Sequence, residues 1–492
     1  MAYTNAPQQD TYRSERINLY REIVLRDGGA SGKDEDYLNV FIEIVKQNKA
    51  EDQRKFIQKR AGCASLIASV ASSNIRGMFF WADQSKLLYC VGRNVYVYNV
   101  NTAVSTTLTN VFATSSGAVS FCEFLYDTGT VKIVGTDGSA TSGIVTIDSA
   151  NTVVTCADAD LPAHLSNLVF LDGYIFIIET ATGKIFNSDN NDPLSYTTSA
   201  YIVPEQEADT TTRIAKINNY LVAFGNDSIE YYWDAANAAP DSPMQRNDAP
   251  IKYNGYLAGL SQYGNVLYYI GKDASGQPEI FKLKDFKLEV IGSTSISRYL
   301  NSTGTALSTW IGNIVSIQGH VFYVISAGSG KTWAIDLDNE LITRFAYQNN
   351  STFDFNQTVV VKGTSSVKTY FCLTNSTSTV YYFDASLYQD AGTNFSCIIT
   401  TENNDFKTLN RKTMSRLGLS ADRPSSDTNI SIEWTDDDYQ TWSTARTCNL
   451  NTDTPFIRQL GSFRNRAFRF TYIGNYPFRL QDIEVDINKG NT

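Results

Sequence analysis

Short apolar or alternating runs, each followed by a turn rich in glycine or asparagine, recur through most of this 492-residue chain. Each unit is a strand, a tight turn and a second strand, often aromatic. The first copy reads Arg76–Trp81, Lys86–Val91 and Asn94–Tyr98, with Gly92-Arg93-Asn94 as the hairpin turn. The second runs from Val131–Gly135 to Gly143–Ile147, and the third from Leu168–Ile177 to Lys184–Phe186. The fourth pairs Tyr220–Gly225 with Ser228–Trp233, and the fifth Asn265–Gly271 with Glu279–Leu283. The sixth pairs Gly319–Ile325 with Thr332–Asp336, and the seventh Lys368–Leu373 with Thr379–Asp384. Second strands follow one another at about 41 to 53 residues, the period of a four-stranded propeller blade. The pattern predicts an all-β protein whose centre is a β-propeller of six or seven blades, seven preferred, without WD or GG pairs. Two β-sandwiches with irregular strands are the alternative.

The ends do not repeat. In residues 1–62, Arg21–Arg26 and Leu38–Val45 read as strands around the loop Asp27–Gly32, with a weak helix over Glu51–Lys59. Such an extension cannot bury a core alone, so it is expected to lie against the propeller or a neighbouring subunit. Residues 63–405 hold the propeller. In residues 406–492 the strands Asn429–Trp434, Arg466–Tyr472, Phe478–Gln481 and Ile483–Ile487 each show an apolar and a polar face. They predict a separate C-terminal β-sandwich, with Asp422–Asp427 as a turn-rich loop.

Charge sharpens this division. The formal net charge is −10. Residues 1–62 carry 11 basic and 10 acidic side chains, residues 63–405 carry 18 and 31, and residues 406–492 carry 12 and 10. The acidity belongs to the middle, which argues against a protein that holds nucleic acid by neutralising phosphate. No apolar run is long enough for a transmembrane helix, and the first residues lack the apolar core of a secretion signal. The 29 tyrosines and 26 phenylalanines favour strands.

Candidate chemistry is sparse. Cys63, Cys90, Cys122, Cys156, Cys372, Cys397 and Cys448 are odd in number and lack CxxC spacing, as expected of buried apolar thiols. His164 and His320 are the only histidines, too few for a histidine-rich metal centre. Gly328-Ser329-Gly330-Lys331-Thr332 resembles the end of a P-loop, but Ile325 stands where that motif needs glycine and a strand follows instead of a helix. Thr435–Trp442 resembles an Asp-box, a hairpin stabiliser in sialidases and other propellers, with Thr435 for serine and Tyr439 for glycine. The clusters Asp189–Asp192 and Asp336–Glu340 lack the spacing of a twelve-residue calcium loop and read as solvated turns. The sequons Asn301-Ser302-Thr303 and Asn375-Ser376-Thr377 follow from composition. No residue is nominated as catalytic, cofactor-binding or metal-binding.

Several stretches together resemble the packaged-DNA stabilisation proteins of short-tailed phages, also called tail hub or nozzle proteins. They are Tyr37–Glu43, Lys59-Arg60-Ala61-Gly62 (Ala61 where that family usually has proline), Ile75–Met78, Leu221–Tyr232, and Trp434–Asp437 with Thr441-Trp442-Ser443. The likeness runs from about residue 15 to 488, and Leu221–Tyr232 is its most specific part. It implies a virion protein of the tail with no enzymatic activity and no cofactor. It further implies a homo-hexameric ring under the portal and its adaptor ring, through which DNA passes without specific binding. The implied partners are the portal-adaptor ring and tail fibres, spikes or a plug, with no membrane insertion. A glycan-binding or glycan-cleaving tail protein is the competing expectation. A cellular propeller that binds protein partners is a third.

Overall fold

The computed structural model describes residues 12–20, 35–45, 54–139, 143–205, 207–248, 251–252, 254–327, 330–362, 367–374 and 377–490. All seven expected strand pairs are antiparallel neighbours. Six blades each take four consecutive strands from one stretch of chain, 75–108, 120–155, 165–202, 213–246, 256–290 and 311–347, and Ile251–Lys252 adds a fifth strand to the fourth blade's sheet. The preference for seven such blades is corrected here. The last copy supplies only Phe355–Lys362, Val367–Leu373 and Val380–Asp384 before the chain departs. Gly62–Ile67, from the other end of the sequence, pairs with Val380–Asp384 and fills the fourth position. This composite sheet stands between the sixth blade and the first.

Burial explains the sequence pattern. Second strands such as Lys86–Val91 and Tyr174–Glu179 lie between two neighbouring sheets, so both their faces are apolar. The outermost strand of the first blade, Val104–Leu108, is almost wholly exposed and polar. Separate apolar cores join the first blade to the second, the second to the third, the third to the fourth and the fourth to the fifth. Others join the sixth to the composite sheet, and the composite sheet to the first blade. The fifth and sixth blades meet within the largest cluster, under the nine-residue helix Thr294–Ser302, which buries Ile296, Tyr299 and Leu300. The sequence pattern gives no hint of this helix.

The ends are not arranged as expected. Residues 406–492 do not form a sandwich by themselves. One sheet orders Val40–Val45, Arg54–Lys59, Arg479–Lys489, Lys412–Ala421 and Phe456–Arg458, with Tyr12–Arg16 also on Arg479–Lys489. The other orders Asp36–Leu38, Cys397–Thr400, Ala467–Tyr472, Asn429–Thr435 and Arg446–Asn449. Asp36–Leu38 also runs parallel to the last strand of the sixth blade, so this second sheet is continuous with the propeller. The reason lies in the apolar faces. Ile17, Leu19, Val40, Ile42 and Ile57 share one core with Leu417, Ile430, Phe470, Val485 and Ile487. Either end alone would leave that face in water.

Two further expectations change. Arg54–Lys59 is a strand rather than part of a helix, because it pairs residue by residue with Val40–Val45. The run Leu38–Val45 is broken at Asn39, whose φ of 57° turns the chain from one sheet into the other. The expected strand Arg21–Arg26 and loop Asp27–Gly32 lie outside the described residues.

Gly62 opens the closing strand where a Cβ would collide with the backbone carbonyl of Gln389. Gly62→Ala is therefore expected to lower stability by about 1–3 kcal/mol, the ordinary range for overpacking a tight site. Urea unfolding followed by tyrosine and tryptophan fluorescence checks this, and an unchanged midpoint would contradict the tight closure.

Candidate assembly site at the junction of the chain ends

The described residue with the densest set of buried charge contacts is Arg60, between the terminal sheets and the closing strand. Its side chain and that of Asp390 are both fully buried. Nη1 donates to Asp390 Oδ1 at 2.9 Å and Nη2 to Oδ2 at 2.6 Å, a bidentate pair. Nε donates to Asn39 Oδ1 at 2.8 Å, Nη1 also to the Ala61 carbonyl, and Nη2 to the Ala346 carbonyl of the sixth blade. The guanidinium lies 3.9 Å from the centre of the Phe395 ring and 4.9 Å from that of Phe353. The desolvated cation thus meets a carboxylate, three further acceptors and two aromatic faces.

Asn39 does a second task. Its Oδ1 also accepts from the Ala346 amide at 2.8 Å, and its Nδ2 donates to the Ser396 carbonyl at 2.8 Å. The left-handed backbone that asparagine tolerates and this side-chain bridge occur at the same residue. Lys59, one position before Arg60, is buried, and among the described residues no carboxylate forms an ion pair with it. Its Nζ donates to the Tyr388 carbonyl at 2.8 Å and the Gly474 carbonyl at 2.6 Å, and sits 4.4 Å from the Phe395 ring centre. Burial, with a contribution from Arg60, lowers its ammonium pKa to about 8 against the opposing effect of Cys397 and Asp390. The closing strand is stitched in beside them: Gly62 N donates to Leu387 O, Cys63 N to Gln389 O, and Ala391 N to Cys63 O.

The candidate motifs of the sequence are dispersed. Gly328 and Ser329 lie outside the described residues, and Lys331 leads into the strand Thr332–Asp336 with no helix after it. The Asp-box is a hairpin turn. Asp437 accepts from the amides of Gln440 and Thr441 and from the hydroxyls of Thr435 and Thr441, which hold its pKa down to about 2. Asp189 accepts from Ser195 and Thr197, within a turn of the third blade. Asp336 accepts from the Asp338 amide and bonds His320 Nδ1 at 2.7 Å. That partner for His320 is invisible in the sequence. His320 also packs on Phe41, so it joins the sixth blade to the terminal sheets. Burial alone would lower its pKa. The hydrogen bond and charge of Asp336, with Glu43 and Asp338, outweigh burial and raise it. His164 takes a left-handed φ of 55° and bonds through its backbone.

All seven cysteines are free, six of them buried and Cys122 partly so. Among the described residues no three His, Cys, Asp or Glu side chains group as a metal site. No helix of the described residues is long and apolar enough to cross a membrane. Asn301 donates to Gln277, and Asn375 lies outside the described residues. A cavity of about 550 Å³ on the inner strands is lined by residues such as Met78, Phe80, Gln262, Asn313, Thr358 and Lys362, without a carboxylate. The stretch Leu221–Tyr232 gains a physical reason: Gly225 leaves room for the Asp209 carboxylate, which accepts from the Asp227 and Ser228 amides and the Ser228 hydroxyl.

The buried pair yields one contrast. Asp390→Ala strands the Arg60 charge and is expected to cost about 3–5 kcal/mol. Asp453→Ala breaks an exposed pair with Arg423 and is expected to cost at most about 1 kcal/mol. Equal losses in urea unfolding would contradict the special position of Arg60. The raised His320 yields another. Its stabilising contribution is complete below its unfolded pKa of about 6.5 and is lost as pH rises through the folded value. The drop in urea midpoint between pH 5.5 and 8.5 is therefore expected to be smaller in His320→Gln than in the unaltered chain. An identical drop would sink this assignment.

A family model described as Bacteriophage P22 Gp10, beta-propeller, matches residues 23–340. No curated protein matches the chain. Among solved structures, the N-terminal domain of Nup159 is 12% identical, with 71% of this chain and 100% of that one covered at a TM-score of 0.40. The Myceliophteria thermophila Cps50 (Swd1) β-propeller domain is 10% identical, with coverage of 66% and 99% and a TM-score of 0.42. The computationally designed Ika8 protein is 10% identical, with coverage of 64% and 89% and a TM-score of 0.36. Such low similarity carries nothing about function.

Proposed function

The chain belongs to the bacteriophage P22 Gp10 β-propeller family, a phage family of packaged-DNA stabilisation, and on that premise we propose that it is a tail nozzle or hub protein. Six copies form a ring below the portal and its adaptor ring. The ring extends the DNA channel, helps retain the packaged genome and anchors fibres, spikes or a plug. The family match over residues 23–340 is the observation that carries this reading.

The electrostatics support it. A conduit must let the duplex slide rather than hold it, and acidic walls repel phosphate. Residues 63–405 carry 18 basic and 31 acidic side chains.

Closed rings use heterologous contacts that repeat by rotation. The strands of residues 12–59 are engaged within the terminal sheets, so the outer faces of those sheets are left to meet a neighbour. Deleting residues 1–62 would also remove Arg60, so surface substitutions are the cleaner probe of such contacts.

Native mass spectrometry of the purified chain mixed with its portal-adaptor ring tests the proposal. Six copies per adaptor ring are expected. Three copies, no binding, or polysaccharide depolymerisation by the chain alone would overturn it.

A further inference from the structure

Among the described propeller strands, Gly62–Ile67 alone is held in its sheet by a partner some 300 residues away in sequence. Every other described propeller strand pairs with one close to it in sequence, whereas this one must find Val380–Asp384 across nearly the whole propeller. It is the outermost strand of its sheet, with Val380–Asp384 on one side and, on the other, only an isolated parallel bridge from Cys63 to Asp390; its register shifts between Val380 and Tyr381. Its attachment is uneven. Gly62 and Cys63 are buried, while Ala64–Ile67 are half-buried or exposed. At its far end, the amides of Val70 and Ala71 both donate to the single Ser378 hydroxyl at 3.0 Å. At its near end stand Arg60, Asp390 and the three backbone hydrogen bonds described above.

We infer that Gly62–Ile67 is a releasable strap: it leaves the composite sheet while the six contiguous blades and the terminal sheets stay folded, and the Arg60–Asp390 pair holds it shut. Proteins open in local units whose free energies lie well below that of global unfolding. An outermost strand with most of its fixings at one end has the make-up of such a unit. Its release frees a defined seam. Leu66 and Ile67 pack against the core between the composite sheet and the first blade. The inner strands of those two sheets supply Met78, Phe80, Thr358 and Lys362 to the cavity described above. Within the composite sheet the inner strand lies at the opposite edge from the strap, so release exposes the outer part of the seam and leaves the cavity wall in place.

The chain carries its own reporters. Cys63 lies on the strap, Cys90 in the core between the first two blades, and Cys448 in the terminal sheets, all buried and free. A thiol reagent modifies each only when its surroundings open. Labelling of the full chain, read site by site by peptide mass spectrometry, is the test. In the unaltered protein below its urea transition, Cys63 is expected to react at least about 10-fold faster than Cys90 and Cys448, with a shallower urea dependence. In Asp390→Asn, Cys63 is expected to accelerate by about 100-fold or more and to stay at least about 10-fold ahead of Cys90 and Cys448. If all three react in step with the same urea dependence in the unaltered protein, opening is global and the strap is refuted, whether or not the variant folds. A folded Asp390→Asn whose Cys63 stays as slow as before removes Arg60–Asp390 as its latch.

Discussion

A buried arginine cannot be left without its carboxylate, and in this chain that requirement decides where the two ends go. Arg60 and Asp390 are 330 positions apart and both fully buried. Desolvating them is costly, and their mutual attraction in a low-dielectric interior repays it only in one geometry. That geometry sets Asn39, Ala346, Phe353 and Phe395 around the guanidinium. Through these neighbours it ties the sixth blade, the composite sheet and the terminal sheets to one point. A core of hydrophobic residues could stabilise the junction as well. A bidentate ion pair also specifies it, because a strand shifted by one residue would leave both charges unpaired.

The local features of the fold were legible in the sequence, and the long-range ones were not. Runs such as Leu87–Val91 and Ile175–Ile178 read as strands because both their faces are buried between sheets, and all seven strand pairs stand as expected. The turn character of Thr435–Trp442 and Asp189–Asp192 was equally visible, since Asp, Asn and Thr bond their own backbone over a few residues. The seventh copy gave no sign that it holds only three strands of its own, because the missing one lies 300 residues upstream and alternates poorly. The C-terminal strands showed apolar faces but not what covers them. Asn39 sat inside a continuous apolar run, and only its left-handed φ reveals a corner there. Asp390 and Asp336 were two among 51 acidic residues, with nothing local to mark them as partners of Arg60 and His320. The resemblance did point at Lys59–Gly62, and the structure supplies the reason: Arg60 holds the ends together and Gly62 has no room for a side chain.

These features describe a molecule organised for holding a shape. The candidate reactive groups are separated: His320 serves a joint between sheets, Asp437 a turn, and the cysteines lie mostly in cores. Of the buried charges, Arg60 and Asp390 serve closure, and the surplus of acid lies in the long middle of the sequence. Family membership and a fold whose closure depends on both chain ends fit a structural phage protein, on which the proposed ring is built. The strap adds that the same closure is local, so its strand can leave without loss of the blades.

Cryo-electron microscopy of the particle that carries this chain tests the account most directly. It predicts six copies around an axial channel below the portal, each with a propeller closed by residues 62–67 and the terminal sheets built from both ends. Copies at the periphery in groups of three, or a propeller closed by its own contiguous strands, would contradict it.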